Sequence, residues 1–124
     1  MTSTLALMTA LLAKHFIADF PLQTKYMLGK FGPYPKYILP LLAHSAVHVF
    51  TTLLILAFFL PPPLAAGVAL AEGALHFGID RVKASPQLLG RWAPSSPYFW
   101  WALGADQLAH GLCYVGICAI VGAQ

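Results

Sequence analysis

The sequence predicts an all-α integral membrane protein, an antiparallel four-helix bundle with a buried His/Asp site in its cytoplasmic half. Three observations support this prediction: a very apolar composition, four long apolar segments, and a pair of histidine or aspartate residues in each segment. Hydrophobic residues make up 59% of the chain and charged residues 9%, whereas about a quarter of a soluble domain is charged. So few charges cannot cover a soluble surface, which excludes a disordered tail, a disulfide scaffold and a nucleic-acid-binding domain.

The chain is predicted to form a single transmembrane domain over residues 1–124. A helix that crosses a bilayer needs about 20 mostly apolar residues. The segments that meet this requirement are 4–26, 35–60, 64–82 and 96–121. Pro21 is expected to end or kink the first helix, because proline lacks an N–H and clashes with the preceding turn. No basic region precedes the first apolar stretch, so we expect a retained span and not a cleaved signal peptide.

The basic residues predict the orientation of the chain. Six of the seven lie in or beside the first and third connections, which share one side of a four-span protein: Lys25, Lys30, Lys36, Arg81, Lys83 and Arg91. The positive-inside rule makes that side cytoplasmic and both termini external, as in a multi-pass protein of the inner (cytoplasmic) membrane. The net charge of +3 is then a topology signal, and we expect no nucleic-acid partner.

Every acidic residue and every histidine belongs to a set whose members are four residues apart. The sets are His15–Asp19 continued by Gln23, His44–His48, Glu72–His76–Asp80, and Asp106–His110. Residues four apart lie on one helix face, about 6 Å apart along the axis. An antiparallel bundle brings the four sets into one layer, roughly 5–15 Å inside the cytoplasmic boundary by the rise per residue.

The energetic cost of these groups favours a site over incidental charges. One charged residue in the middle of a membrane helix costs about 2.5–3.5 kcal/mol, and four uncompensated pairs would cost on the order of 10 kcal/mol or more. A polar network that only holds the bundle together is an alternative, because Asp–His hydrogen bonds can replace packing. Imidazole and carboxylate are ligands of zinc, manganese and non-haem iron, so we predict a divalent metal, with zinc as the first choice.

The predicted metal ligands are the members of the four pairs: His15, Asp19, His44, His48, His76, Asp80, Asp106 and His110. Eight ligands are too many for one tetrahedral ion, so either two ions share the site or the remaining groups surround a single ion and move protons. The candidate catalytic carboxylates are Asp19, Asp80 and Glu72, of which Glu72 is equally a ligand, a general base or a buried protonated acid. The candidate substrate-binding residues are Gln23, Lys83 and Gln107.

These motifs resemble, in the same order, those of the small bacterial and phage membrane proteins grouped as domain of unknown function 3307. The motifs are His15-x3-Asp19-x3-Gln23, His44-x3-His48, His76-x3-Asp80-x2-Lys83 and Asp106-Gln107-x2-His110. The resemblance covers nearly the whole chain. It implies a conserved role for these histidines and aspartates and for Gln23, and it implies no activity. In style the motifs are also similar to those of small membrane-bound proteins labelled metal-dependent hydrolases.

We predict a metal-dependent hydrolase that acts on a lipid-linked or amphipathic substrate at the cytoplasmic leaflet. A metal-bound water would be the nucleophile, and bases at the mouth of the site could hold a phosphate group. One alternative is a metal-ion or proton carrier, although the outer half of the spans offers few polar residues. Another is a non-catalytic structural or partner-binding bundle. A stripe of small residues leaves a homo-oligomer open, although packing within the bundle is its first use: Ala65, Ala69 and Gly73.

Overall fold

The structure of the chain is a computed structural model that describes residues 2–124, and it contains four long α-helices. Their bounds are Thr2–Asp19 for α1, Ile38–Leu56 for α2, Pro62–Ala84 for α3 and Pro97–Gly122 for α4. Short 3-10 turns occupy parts of the first and third connections, at Met27–Phe31 and Leu89–Arg91. The predicted all-α architecture of four helices is confirmed.

Prolines set several of the helix ends. α1 ends at Asp19, two residues before Pro21, so the remainder of the predicted segment 4–26 forms turns instead of helix. α3 and α4 both begin with proline at the first helical position, where a missing N–H costs nothing. Ser96 precedes α4 and its side chain accepts a hydrogen bond from the backbone N–H of Tyr98, which caps that helix.

Each helix packs on two neighbours, in the cyclic order α1, α2, α3, α4. The end of α1 meets the start of α2 where Asp19 contacts His44, and the end of α3 meets the start of α4 where Lys83 contacts Asp106. Contacts between the end of one helix and the start of the next make neighbouring helices antiparallel. The two connections that contain or adjoin most of the bases therefore lie at the same end of the bundle.

The most extensive helix–helix contact joins α2 and α3. Gly73 of α3 allows this close approach, because a Cβ at that position would collide with the side chain of Val49 on α2. Ala65 and Ala69, the other members of the small-residue stripe, are completely buried. The stripe is therefore used in packing within this chain.

The interior of the bundle has two halves of opposite character. The apolar half lies toward the start of α1 and consists of Leu7, Leu11, Leu56, Leu60, Ala65, Val68, Tyr114, Ile117 and Cys118. The polar half lies toward the end of α1 and contains the buried histidines and aspartates. The predicted buried His/Asp cluster is thus confirmed as part of the four-helix interior.

Two of the helices, α2 and α4, are long and apolar enough to cross a membrane. Length and composition alone give only weak support for membrane embedding, because core helices of soluble proteins share these properties.

The first connection folds over the open end of the polar half. Gly29 lies so close to α2 that an added Cβ would be 2.8 Å from the Cγ of Pro40. Arg81 of α3 stacks 3.6 Å from the centre of the Tyr37 ring and donates a hydrogen bond to the carbonyl oxygen of Gly32. These contacts hold the connection in place and bring Lys30, which is buried, to the mouth of the cluster.

Candidate metal centre

All the predicted ligands converge in the polar half, one pair from each helix. They are His15 and Asp19 from α1, His44 and His48 from α2, His76 and Asp80 from α3, and Asp106 and His110 from α4. Every one of these side chains is buried except Asp19, which is half-buried. The spacing of four residues explains the convergence, because each helix turns one polar stripe toward the bundle axis.

A first group of ligand atoms is centred on Asp19, and we call it the Asp19 site: Asp19, His44, His48 and His76. Asp19 Oδ1 lies 2.9 Å from Nε2 of His48 and 3.2 Å from Nε2 of His44. Nε2 of His76 lies 3.2 Å from Nε2 of His44 and 3.8 Å from the same carboxylate oxygen. Three imidazole nitrogens and one carboxylate oxygen, all within 4.8 Å of one another, form a donor set that zinc commonly takes.

A second group lies between α3 and α4, and we call it the Asp106 site: Asp80, Asp106 and His110. Nε2 of His110 lies 3.3 Å from Oδ1 of Asp80 and 3.6 Å from Oδ1 of Asp106. The other oxygen of Asp80 points toward the Asp19 site, 3.3 Å from Nε2 of His44. Asp80 is therefore adjacent to both groups.

Lysines neutralise three of the four acidic side chains. Nζ of Lys30 lies 2.6 Å from Oδ2 of Asp80. The corresponding distances are 3.2 Å from Lys83 to Asp106 and 3.1 Å from Lys14 to Glu72. Within residues 2–124, the ion-pair partners of Asp19 are histidines alone. Asp19 is thus the acidic side chain whose charge a bound cation would balance.

Several buried polar atoms of the cluster make no hydrogen bond within the described chain. They are Nε2 of His15, Nδ1 of His44, Nδ1 of His76, Oδ1 of Asp106 and Nε2 of His110. Some of these atoms lie near another polar atom, but the geometry between the two atoms is not that of a hydrogen bond. A buried polar group left unsatisfied costs about 1–3 kcal/mol, so the arrangement is expensive unless an ion or water completes it. The buried cluster could therefore bind a metal ion.

The family described as protein of unknown function (DUF3307) matches residues 7–123 of the chain. The chain belongs to this family. The match contains all of the clustered histidines and aspartates, and the predicted membership is confirmed. No curated protein and no solved structure matches the chain. The DUF3307 description assigns no activity.

In this DUF3307 member, Glu72 lies one layer deeper than the cluster. Its Oε1 accepts a hydrogen bond from Lys14, and its Oε2 accepts one from the hydroxyl of Thr52 at 3.2 Å. It approaches the Nδ1 atoms of His48 and His76 at 3.9 and 4.0 Å, on the ring edges that face away from Asp19. This geometry makes Glu72 the ion-pair partner of Lys14 behind the ligand layer, a role that the three interpretations predicted for Glu72 did not include.

Sequence reasoning missed three residues that contact the cluster. Lys14 Nζ lies 3.1 Å from Nδ1 of His48. The sequence feature that could have indicated Lys14 is its position inside an apolar helix, where a charged residue marks a functional site by default. The hydroxyl of Tyr114 lies 2.9 Å from Nδ1 of His15. The sequence feature that could have indicated Tyr114 is its position four residues after His110, on the same helix face. Lys30 lies in a connection, where no periodicity predicts its position.

The predicted substrate-binding residues lie at the edge of the cluster. Gln107 is exposed and donates its side-chain N–H to Oδ2 of Asp106 at 2.9 Å. Lys83 is partly exposed and contacts the same oxygen. Gln23 lies beyond the end of α1, is half-buried, and has an unpartnered side-chain oxygen. Gln107 and Lys83 therefore lie next to Asp106, on the α3–α4 side of the cluster.

Proposed function

We propose that this chain is a membrane-embedded metalloprotein that hydrolyses a lipid-linked or amphipathic substrate at the cytoplasmic leaflet. The observation on which this depends is the Asp19 site, where one carboxylate without a lysine partner faces three imidazole nitrogens. This donor set favours zinc first, and manganese or iron as alternatives. The bound ion would activate a water molecule as the nucleophile.

Membrane embedding is supported by the distribution of polar and apolar side chains. Large apolar residues point outward on every helix, and examples at least 60% exposed are Leu5, Phe50, Leu70 and Leu112. The histidines and acidic residues point inward. A soluble bundle has the opposite arrangement, because exposed apolar surface of this extent is unfavourable in water. A lipid environment accommodates the apolar outer surface and leaves the polar side chains in the interior of the bundle.

The orientation follows from the end of the bundle at which the bases lie. Both connections that contain or adjoin these bases are at the end of the polar half, and the positive-inside rule makes that end cytoplasmic with the termini outside. A substrate would then reach the cluster from the cytoplasmic leaflet. The phosphate of a membrane lipid or a lipid-linked compound has the charge that these bases would attract.

A groove between α3 and α4 supports an amphipathic substrate. It has a volume of about 460 Å³, its walls are apolar, and both Lys83 and Asp106 contribute to its lining. A groove of about 440 Å³ between α2 and α3 has no charged side chain among the described residues that line it. Apolar walls beside a charged pair fit a molecule with a hydrocarbon chain and a phosphate or ester group.

The hydrolysis consumes one water molecule. Its oxygen would bond to the carbonyl carbon or phosphorus of the substrate, and the bond from that atom to the leaving oxygen would break. One proton of the water passes to a carboxylate and then to the leaving oxygen. Asp80 and Asp19 are the carboxylates beside the ligand nitrogens, so they are the candidates for this proton transfer.

A carrier of ions is less well supported by the interior of the bundle. Polar groups continue from the Asp19 site only as far as Lys14, Glu72 and Thr52. Beyond them, the described residues form the apolar half, which is closely packed. A path across the membrane would need polar side chains there. The arrangement favours a site that is loaded and used from one side.

Metal analysis of detergent-purified protein tests the metal site. We expect zinc to copurify with the wild type, and the ion of the Asp19 site to be lost from the His44→Ala/His48→Ala double variant. Ser45→Ala is the matched control, since Ser45 is buried on the same helix and lies outside the Asp19 site. Equal metal content in the wild type and the double variant would contradict metal binding at the Asp19 site.

Hydrolysis is tested with dilauroyl phosphatidic acid in mixed micelles, by measuring released phosphate and fatty acid. We expect zinc-dependent release by the wild type and none by the double variant. Gly78→Leu should also block release, because a side chain there enters open space on the α3–α4 groove. Ala46→Leu in the α2–α3 groove is the control. Equal release by the wild type and the double variant would exclude hydrolysis of this lipid class by the Asp19 site.

A further inference from the structure

We propose that the cluster holds a second divalent ion at the Asp106 site, bound by Oδ1 of Asp80, Oδ1 of Asp106 and Nε2 of His110. This inference rests on the proposed function in one respect, since it takes the Asp19 site as the place of the first ion. The two sites are separate sets of atoms on different helices. The Asp19 site uses α1, α2 and α3, whereas the Asp106 site uses α3 and α4.

The first support is a pair of unpartnered atoms aimed at the same point. Oδ1 of Asp106 and Nε2 of His110 make no hydrogen bond within the described chain, and their residues are only 4% and 2% exposed. The two atoms are 3.6 Å apart, close enough to share one cation. Leaving both unsatisfied is costly, and a bound cation satisfies both together.

The second support is the way in which lysines hold the carboxylates. Lys30 contacts Oδ2 of Asp80, and Lys83 contacts Oδ2 of Asp106. In both carboxylates the lysine occupies one oxygen and leaves Oδ1 facing His110. A lysine on one oxygen can orient a ligating carboxylate without blocking its other oxygen. The lysines therefore leave the Asp106 site open.

Asp80 connects the two sites. Its Oδ2 lies 3.3 and 3.6 Å from the Nε2 atoms of His44 and His76, while its Oδ1 lies 3.3 Å from Nε2 of His110. Inward-facing carboxylates and imidazoles on several helices also form the paired-metal sites of helical bundles, whose ions are about 3.5–4 Å apart. The second ion is thus expected close to the first.

The two ions would have different roles. The Asp19 site offers four candidate protein ligands, and the proposed function places the activated water there. The Asp106 site offers three, which leaves a coordination position for water or substrate. Asp106 also lines the groove between α3 and α4, so this open position faces the proposed substrate. The second ion would bind and polarise the substrate beside the water activated at the Asp19 site.

Metal stoichiometry of the full chain after zinc loading and desalting tests this inference. We expect two ions per chain in the wild type and one in Asp106→Ala and in His110→Ala. His110→Gln is a further variant that keeps the volume and a polar end but removes the imidazole, so a folding defect in one variant does not decide the outcome. The control is Gln107→Ala, which should retain two ions, because the Gln107 side chain contacts Oδ2 of Asp106 and not the ligating Oδ1.

Manganese loading gives a second readout through electron paramagnetic resonance. Two manganese ions in neighbouring sites should give a spin-coupled spectrum in the wild type and the spectrum of an isolated ion in His110→Gln. One ion per chain in both the wild type and the variants would overturn the second site and leave the proposed function standing. No metal in the wild type would overturn both, and two ions in every variant would place the second ion elsewhere and overturn this inference.

Discussion

The polar and apolar halves of the bundle hold the same four helices together by different means. In the apolar half, Leu7, Leu11 and Leu56 are completely buried and hold the helices by packing alone. In the polar half, imidazoles, carboxylates and lysines replace the apolar side chains, and several of their atoms have no hydrogen-bond partner. Packed apolar groups need no specific partner, whereas each buried charge needs one.

This difference indicates what each half is for. A bundle that only had to be stable would continue the apolar packing to both ends, because replacing buried ion pairs by apolar residues is often neutral or stabilising. The polar half therefore gives up stability for a site, and the apolar half supplies the rigidity that keeps the ligands in position. Variants in each half should separate stability from metal binding.

The largest effect is expected at the boundary between the halves, from Lys14→Met. Lys14 is 6% exposed and pairs with Glu72, so its removal leaves a buried carboxylate without a cation. Losing one partner of a buried ion pair costs about 3–5 kcal/mol. The free energy of unfolding in detergent measures this loss. The Lys14→Met/Glu72→Gln double variant should recover most of it.

A matched control is Lys36→Met, since Lys36 is exposed in the first connection and a surface substitution changes stability by about 0.5 kcal/mol or less. If the Lys14→Met and Lys36→Met variants have the same free energy of unfolding, the ion pair of Lys14 with Glu72 contributes nothing to stability. The polar half would then tolerate unpaired charge, and its contrast with the apolar half would disappear.

The next effect is expected within the apolar half, from Leu11→Ala. Leu11 is fully buried, and its truncation leaves a cavity that costs about 2–3 kcal/mol. Metal content should stay at the wild-type level, unlike in variants of the Asp19 site. Leu12→Ala is the control on the same helix, because Leu12 is 51% exposed. Loss of metal from Leu11→Ala would contradict the separation of the two halves.

The sequence predicted the elements of this contrast that depend on local spacing. His44 and His48 are one helical turn apart, so they share a face whatever the neighbouring helices are. Pro21 predicted the end of α1 by its own chemistry, and α1 ends at Asp19. Patterns of this kind need no knowledge of tertiary structure, and together they predicted the cluster.

The partners of the charges could not be predicted in the same way. The pair of Lys14 and Glu72 depends on which residues of α1 and α3 meet across the bundle, 58 positions apart in the chain. The position of Lys30 depends on how an irregular connection packs on α2 and α3, where Gly29 lies against Pro40. Interhelical register and loop packing arise from tertiary contacts, which a single sequence pattern does not encode.

The smallest effect is expected where the two halves join, from Tyr114→Phe. The ring of Tyr114 packs in the apolar half, and its hydroxyl bonds to Nδ1 of His15 in the polar half. Phenylalanine keeps the packing and removes the hydrogen bond, which should cost about 1 kcal/mol of unfolding free energy. Tyr98→Phe, at the exposed start of α4, should cost nothing measurable.

Metal analysis of Tyr114→Phe then shows how far the polar half depends on the apolar half. We expect wild-type metal content, because the ligands of the two proposed ions do not include His15, which forms a third group of candidate ligands with His76 and His110. Loss of an ion would make His15 a ligand that Tyr114 orients through Nδ1, since a hydrogen bond to one ring nitrogen positions the other for metal. The apolar half would in that case do more than hold the helices together, because it would contribute the group that aims a ligand.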